Sequence, residues 1–227
     1  MKRTLISLYI PFLVCVFAFN SYADEVTIGY LGGTYEDWRI RTGNSSVAEF
    51  YTDQGLEKTS HGFWARDYKD GLAAYRRAHD AYDNKDYETA LPIWQELAAE
   101  GNASAQLALG ILYFKGEGVS QDLNEAIRWF ERAAISGNVQ AMFNLGIAYW
   151  EGNGIPQSYT EAIEWWKKSA AAGLPQAQYN IGLAYYLGKG TEEDFDQALK
   201  WIRQAAENGH TGAQQVLSAM EESVQSN

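Results

Sequence analysis

Hydrophobic and polar positions in this chain repeat on two scales at once, a helical turn and a longer unit of 36 residues. From Ala103 to His210 that unit is written three times, as ASAQLALGILYFKGEGVSQDLNEAIRWFERAAISGN, VQAMFNLGIAYWEGNGIPQSYTEAIEWWKKSAAAGL and PQAQYNIGLAYYLGKGTEEDFDQALKWIRQAAENGH. Ala105, Ala141, Ala177 and Ala213 stand 36 apart, as do Gly110, Gly146 and Gly182, and Trp129, Trp165 and Trp201. Each unit holds two helical patterns. In the first, Leu109, Leu145 and Ile181 share a face with Tyr113, Tyr149 and Tyr185 four residues on, so these pairs are expected in the core. This helix A stops at a Gly-x-Gly (Gly116/Gly118, Gly152/Gly154, Gly188/Gly190), where left-handed backbone angles end a helix without a Cβ penalty. Helix B starts at Asp122, Ser158 and Asp194, each followed three residues later by Glu125, Glu161 or Gln197, the spacing of a capping box. It closes at Gly137, Gly173 and Gly209. Two helices per unit at this period predict an all-α fold, an α-solenoid of stacked antiparallel helix pairs.

The register divides the chain into segments. Residues 103–138, 139–174 and 175–210 are full repeats. Residues 67–102 form a degenerate first repeat, in which Asp86, Ala90, Ala98 and Gly101 keep the 36-residue spacing but the loop before Asp86 is shorter. Residues 211–227 read as a C-terminal capping helix and tail, with Ser218 where the mid-helix glycine stood and a polar later face. Residues 24–66 lie outside the register. There Val26, Ile28 and Tyr30 alternate before Gly32-Gly33, with Tyr35, Trp38 and Ile40 after it, which suggests a β-hairpin. An irregular arm packed on the first helices is the alternative.

Residues 1–23 are apolar for a different reason. Lys2 and Arg3, then an apolar stretch from Leu5 to Phe19, then Ser21-Tyr22-Ala23 before Asp24 make a signal peptide pattern. The stretch is short for a membrane span and contains Pro11, so no stable span is expected once the signal is cleaved. The expected location is periplasmic or secreted. The only cysteine, Cys15, falls inside this leader, so the mature chain would have no disulfide and no thiolate chemistry. The net charge is −11, and loss of Lys2 and Arg3 would take it to −13. With no basic patch to oppose that charge, nucleic acid is not expected as a partner.

Small residues in fixed columns imply close helix approach. A glycine at mid-helix costs about 1 kcal/mol against alanine, so three of them at Gly110, Gly146 and Gly182 imply a facing backbone near Ala126, Ala162 and Ala198. Trp129, Trp165 and Trp201, with the small pairs Ala133-Ala134, Ser169-Ala170 and Ala205-Ala206, are expected to pack on the helix B side. The whole pattern, Ala-x-x-x-Leu-Gly-x-x-Tyr-x-x-Gly-x-Gly followed by Ala-x-x-Trp and a closing Ala-x-x-Gly, strongly resembles the Sel1-like repeat family, a relative of the tetratricopeptide repeats with a longer inter-helix loop. The match is nearly complete over 103–210, weak over 67–102 and absent before that. The resemblance implies a right-handed superhelix and an exported bacterial adaptor or scaffold that binds a protein or peptide partner.

By the same analogy, a second stripe on helix A looks toward the concave surface. It comprises Leu107, Ile111 and Phe114, then Phe143, Ile147 and Trp150, then Tyr179, Leu183 and Tyr186, flanked by Asn144 and Asn180. The candidate binding residues are therefore Phe114, Phe143, Asn144, Trp150, Tyr179, Asn180 and Tyr186. Rings interleaved with amides suit a peptide, or alternatively a cell-envelope glycan in polysaccharide export or wall maintenance. Packing between neighbouring helices would explain the same stripe. Catalytic chemistry is sparse: His61, His79 and His210 share no ligand spacing, and no phosphate loop, nucleophile elbow or metal cluster appears. Glu192-Glu193-Asp194 reads as helix N-terminal charge rather than a calcium site. No enzyme activity, cofactor or metal is expected. Cysteine-rich relatives linked to β-lactam hydrolysis leave that activity as a remote alternative, but this chain lacks their cysteines.

Overall fold

The computed structural model describes residues 63–225. Among them the chain is entirely helical and turn: α1 (Phe63–Asp83), α2 (Tyr87–Ala99), α3 (Ala103–Lys115), α4 (Leu123–Ile135), α5 (Val139–Glu151), α6 (Tyr159–Ala171), α7 (Pro175–Leu187), α8 (Phe195–Glu207) and α9 (Thr211–Gln225). Helices A of the full repeats are α3, α5 and α7; helices B are α4, α6 and α8. The leader and the hairpin expected around Gly32-Gly33 lie outside the described residues. The described residues fall into two compact units, one ending at Ser136 and one beginning at Gly137.

In the first unit, α1 packs on α2, α2 on α3 and α3 on α4. Its core joins Tyr75, Ala78, Ile93, Trp94, Leu97, Leu109 and Leu112. In the second unit each helix from α5 to α9 packs on the next. One cluster there gathers Phe143, Ile147, Trp150, Ile163, Trp166 and Ile181, and another gathers Tyr179, Leu183, Ile202 and Met220.

The columns of small residues do what close approach requires. A Cβ on Gly110 would lie 2.5 Å from the Phe130 ring and 3.3 Å from the Ala126 carbonyl oxygen. On Gly182 it would meet Ile202 Cγ1 at 2.6 Å and the Ala198 carbonyl at 3.2 Å, while on Gly146 it would overlap the Trp166 indole. Leu109, Leu145 and Ile181 are fully buried, as their spacing predicted, but their partners Tyr113, Tyr149 and Tyr185, expected in the core with them, are only half-buried. The tryptophan column is different. Trp129, Trp165 and Trp201 are only half-buried, and the residues one position later (Phe130, Trp166, Ile202) fill the core against the glycines. The Arg132 guanidinium lies 4.5 Å from the Trp129 ring centre, and the Lys168 ammonium 3.7 Å from that of Trp165. Their rings are partly covered by charged stems rather than enclosed by helices.

The caps follow the 36-residue rhythm. Asp86, Asp122, Ser158 and Asp194 each accept a hydrogen bond from the backbone N–H three residues on, which satisfies one orphan donor of helix B. The reciprocal half of the expected capping box is replaced. The N–H of Asp122, Ser158 and Asp194 donates instead to the carbonyl of Tyr113, Tyr149 and Tyr185 in the preceding helix A. That bond ties the two helices of a repeat across the long loop, and Glu125 turns to Arg128 at 2.9 Å. Gly116, Gly152 and Gly188 end helix A with φ of 73°, 78° and 61°, the left-handed angles their column requires.

Helix A has a cap column of its own at Asn102, Asn138, Leu174 and His210. The Asn102 and Asn138 side-chain oxygens accept from Ala105 and Ala141 N–H, and His210 Nδ1 accepts from Ala213 N–H at 3.0 Å. Leu174 makes no such bond and is followed by Pro175 at the first helical position. Four residues beyond three of these caps, a glutamine joins successive repeats, buried at Gln106 and Gln178 and exposed at Gln214. Gln106, Gln178 and Gln214 Nε2 donate to the carbonyls of Ala98, Ala170 and Ala206 at the end of the preceding helix B. Gln178 Oε1 in turn accepts from Asn208 Nδ2 at 2.9 Å. Met142 holds this position in the second copy.

Candidate interaction surface

The penultimate residue of helix A is aromatic in every full repeat, and its surroundings decide whether the ring can meet a ligand. Trp150 packs edge-on to Tyr159, the first residue of α6, with ring centres 4.6 Å apart, and lies 5.1 Å from Trp166. Lys189, the middle residue of the next Gly-x-Gly, places its ammonium 5.2 Å from the Tyr159 ring centre and 5.7 Å from that of Trp150. The first unit repeats this arrangement with other residues. Tyr82 lies 5.8 Å from Tyr87 and 5.5 Å from Trp94, and its hydroxyl donates to Glu117, the middle residue of Gly116-Glu117-Gly118, at 2.7 Å. Lys115 Nζ donates to the same hydroxyl at 3.1 Å. Burial raises the Tyr82 phenol well above its ordinary range, and the Glu117 carboxylate raises it further, so Tyr82 stays a donor.

The stripe residues are accordingly unequal. Phe143, Trp150, Tyr179 and Asn144 are buried, whereas Phe114, Tyr186 and Asn180 are half-buried. Of the inner aliphatic members, Ile147 and Leu183 are buried and Ile111 is half-buried. Trp150 gives up its face to Tyr159 and Trp166. Tyr179 stacks on His210 with ring centres 4.5 Å apart, and burial raises its phenol. The His210 imidazole is held below its usual value by burial, which keeps Nδ1 free to cap α9.

The amides beside the stripe are unequally satisfied. Asn144 Oδ1 accepts from Gln140 Nε2 at 3.4 Å, one turn earlier on α5. In the equivalent positions of α7, the Gln176 side-chain oxygen is buried without a hydrogen-bond partner among the described residues. A pairing signal was legible here, because Gln140/Asn144 and Gln176/Asn180 repeat at the same spacing; the glutamines were overshadowed by the rings beside them. Among the described residues no group of three or more His, Cys, Asp or Glu is placed to hold a metal ion, and no helix is long and apolar enough to cross a membrane. His79 pairs with Asp83 at 3.2 Å within α1, and His61 lies outside the described residues.

Antiparallel helix pairs with recurring glycine crossings and shared caps define a helical repeat protein, an all-α solenoid. The Sel1 repeat model matches residues 103–138, 139–174 and 175–210, the same boundaries that the 36-residue register sets. Residues 103–210 of the chain are therefore three Sel1 repeats. It is similar to a Sel1 repeat protein from Oxalobacter formigenes, with 35% identity and a TM-score of 0.58 over 61% of this chain and 57% of that one. It is also similar to a protective antigen present in uropathogenic Escherichia coli strains displaying an SLR fold, with 37% identity and a TM-score of 0.53 over 59% of this chain. The matched part spans a third of that antigen and somewhat over half of the Oxalobacter protein. Comparison with curated proteins gives no match. Sel1 repeat proteins are generally protein-interaction scaffolds and are typically non-catalytic.

Proposed function

We propose that this chain is an exported scaffold or adaptor that holds an extended polypeptide along the helix A amides of its second unit. Asn144, Gln176 and Asn180 are the groups assigned to the partner's backbone, with the half-buried Tyr186 alongside. The observation that carries the reading is the buried Gln176 oxygen with no partner among the described residues. A buried acceptor left unmade costs about 1–3 kcal/mol, and a turn of the Gln176 side chain toward the surface would let a peptide N–H remove that penalty on binding. Since the amides sit on rigid helices, little ordering cost falls on the protein side. Export rests on the leader pattern of residues 1–23.

A glycan partner fits less well. Sugar stacking needs open ring faces, and Phe143, Trp150 and Tyr179 have given theirs to neighbouring side chains. Selection of extended peptides against the intact protein tests the proposal. Selected peptides should lose about tenfold or more in affinity with Asn180→Ala or Gln176→Leu, at unchanged helicity. Peptides indifferent to both substitutions would reject this surface, and saturable binding of envelope oligosaccharides in their place would favour the glycan.

A further inference from the structure

Each helix B opens on an apolar residue in the same register: Tyr87, Leu123, Tyr159 and Phe195. Two of these show how the position is covered inside one compact unit. Gly118, with φ 70°, presses so closely on Tyr87 that a Cβ would overlap the tyrosine. Gly190, with φ 72°, rests on the Tyr159 backbone, where a Cβ would come within 2.6 Å of the carbonyl carbon. The Gly190 carbonyl accepts from Thr160 Oγ1 at 3.5 Å. In both cases the residue between the glycines reaches the rings below, Glu117 by a hydrogen bond and Lys189 by its ammonium. The contact therefore demands a left-handed glycine turn at the end of the following helix A.

Among the described residues no Gly-x-Gly turn covers Phe195. It is 36% exposed where Tyr87, Leu123 and Tyr159 are half-buried. Leu187, at the end of α7, is 40% exposed, although the equivalent Lys115 and Glu151 are charged and half-buried. Counting 36 residues on from Gly188 and Gly190 reaches Val224 and Ser226, so the sequence carries no Gly-x-Gly at that register. Glu192, Glu193 and Asp196 are all exposed around the start of α8.

We propose that the Phe195 end of α8 is a docking site for a Gly-x-Gly turn with a basic central residue, presented at a helix end by a partner helical-repeat protein. The partner continues the stacking interface that this chain builds internally on Tyr87 and Tyr159. Glycine is required because each observed cover leaves no room for a Cβ. A basic central residue is required because the site is ringed by carboxylates, and Lys189 over Tyr159 shows the pose such a residue takes. The site is separate from Asn144, Gln176 and Asn180, so the two proposals fail independently.

The test is calorimetric titration of the full chain with a stapled helical peptide copying residues 176–191, which ends in Gly-Lys-Gly-Thr. Saturable one-to-one binding is expected. It should weaken about tenfold or more with Phe195→Ala, and likewise when both peptide glycines become alanine. Glu192→Lys with Glu193→Lys should weaken it too, while Asn180→Ala leaves it unchanged. Phe195 lies at an exposed helix start, so its variant should keep native helicity; the double charge reversal is the second probe if it does not. Absence of binding, or binding indifferent to Phe195 and to the glycines, overturns the proposal. So does loss with Asn180→Ala alone, which would place the peptide on the helix A amides. Self-association of the chain that Phe195→Ala abolishes would put a second copy there and overturn the partner assignment.

Discussion

The same substitution, glycine to alanine inside a helix, should have opposite signs at two places in this protein. Gly182 lies mid-way along α7. A Cβ there would stand 2.6 Å from Ile202 Cγ1 and 3.2 Å from both the Ala198 carbonyl oxygen and the Ile202 nitrogen. Carbon atoms rest at about 3.5–4.0 Å, so roughly 1 Å of relief is needed. Ile202 is fully buried and two of the three neighbours are backbone of α8, so the helices themselves must separate. Overpacking of this kind costs about 1–3 kcal/mol, and the rigid neighbours argue for the upper half. Alanine returns about 1 kcal/mol of helix propensity. The balance is a loss of about 1–2 kcal/mol, or roughly 2–8 °C in Tm for a chain of this size. Gly71 in α1 is the control. Its nearest neighbour among the described residues is Leu97 Cδ2 at 4.0 Å, an ordinary contact, so Gly71→Ala keeps the propensity gain and should raise stability by up to about 1 kcal/mol. Urea unfolding followed by far-ultraviolet circular dichroism and tryptophan fluorescence gives both signs. Because repeat arrays can melt piecewise, hydrogen exchange in α7 and α8 localises the loss. If Gly182→Ala stabilises the protein as Gly71→Ala does, the column exists for some reason other than close packing.

Gln178→Ala should cost about 2–3 kcal/mol in urea unfolding, because it strands the Ala170 carbonyl and leaves a void at a residue only 1% exposed. Gln178→Met should cost less, since Met142 already fills that register in the second copy. Asp122→Ala should lose about 1 kcal/mol by removing the cap on Glu125 N–H. Ser158→Asp should gain up to about 0.5 kcal/mol, because Ser158 Oγ caps at 3.3 Å where Asp122 and Asp194 reach 3.0 and 2.9 Å, and it lacks their charge. His210 has its folded pKa lowered by burial, so the neutral form is the one the fold selects. Its contribution is complete above the unfolded value near 6.5 and falls as pH drops below it, until the folded group also protonates. His210→Asn copies the caps at Asn102 and Asn138, and in melts between pH 8 and 5 it should flatten this part of the profile; an unchanged slope would show that His210 is not its source.

Much of the fold could be read directly from the chain. The glycines at 116, 152 and 188 have the left-handed angles their column implied, and the mid-helix glycines face the neighbours that their cost implied. The site was less legible. Trp129, Trp165 and Trp201 form an unbroken column, which pointed to the core, whereas the core is filled by the varying column of Phe130, Trp166 and Ile202. Adjacent residues on a helix are about 100° apart, and two neighbouring tryptophans such as Trp165 and Trp166 look alike until the opposing glycine is placed.

What the sequence alone determined is everything set by a helix on its own terms: period, ends, caps and the residues that share a face. Tertiary structure decided which of those faces are closed. Trp150 is enclosed because Tyr159 and Lys189 arrive from the next helix and a later loop, whereas Phe195, at the same register as Tyr159, stays exposed. Dihedral preference and hydrogen bonding are local, so a repeat spells them out; burial is a relation between two surfaces, and each repeat holds only one of them.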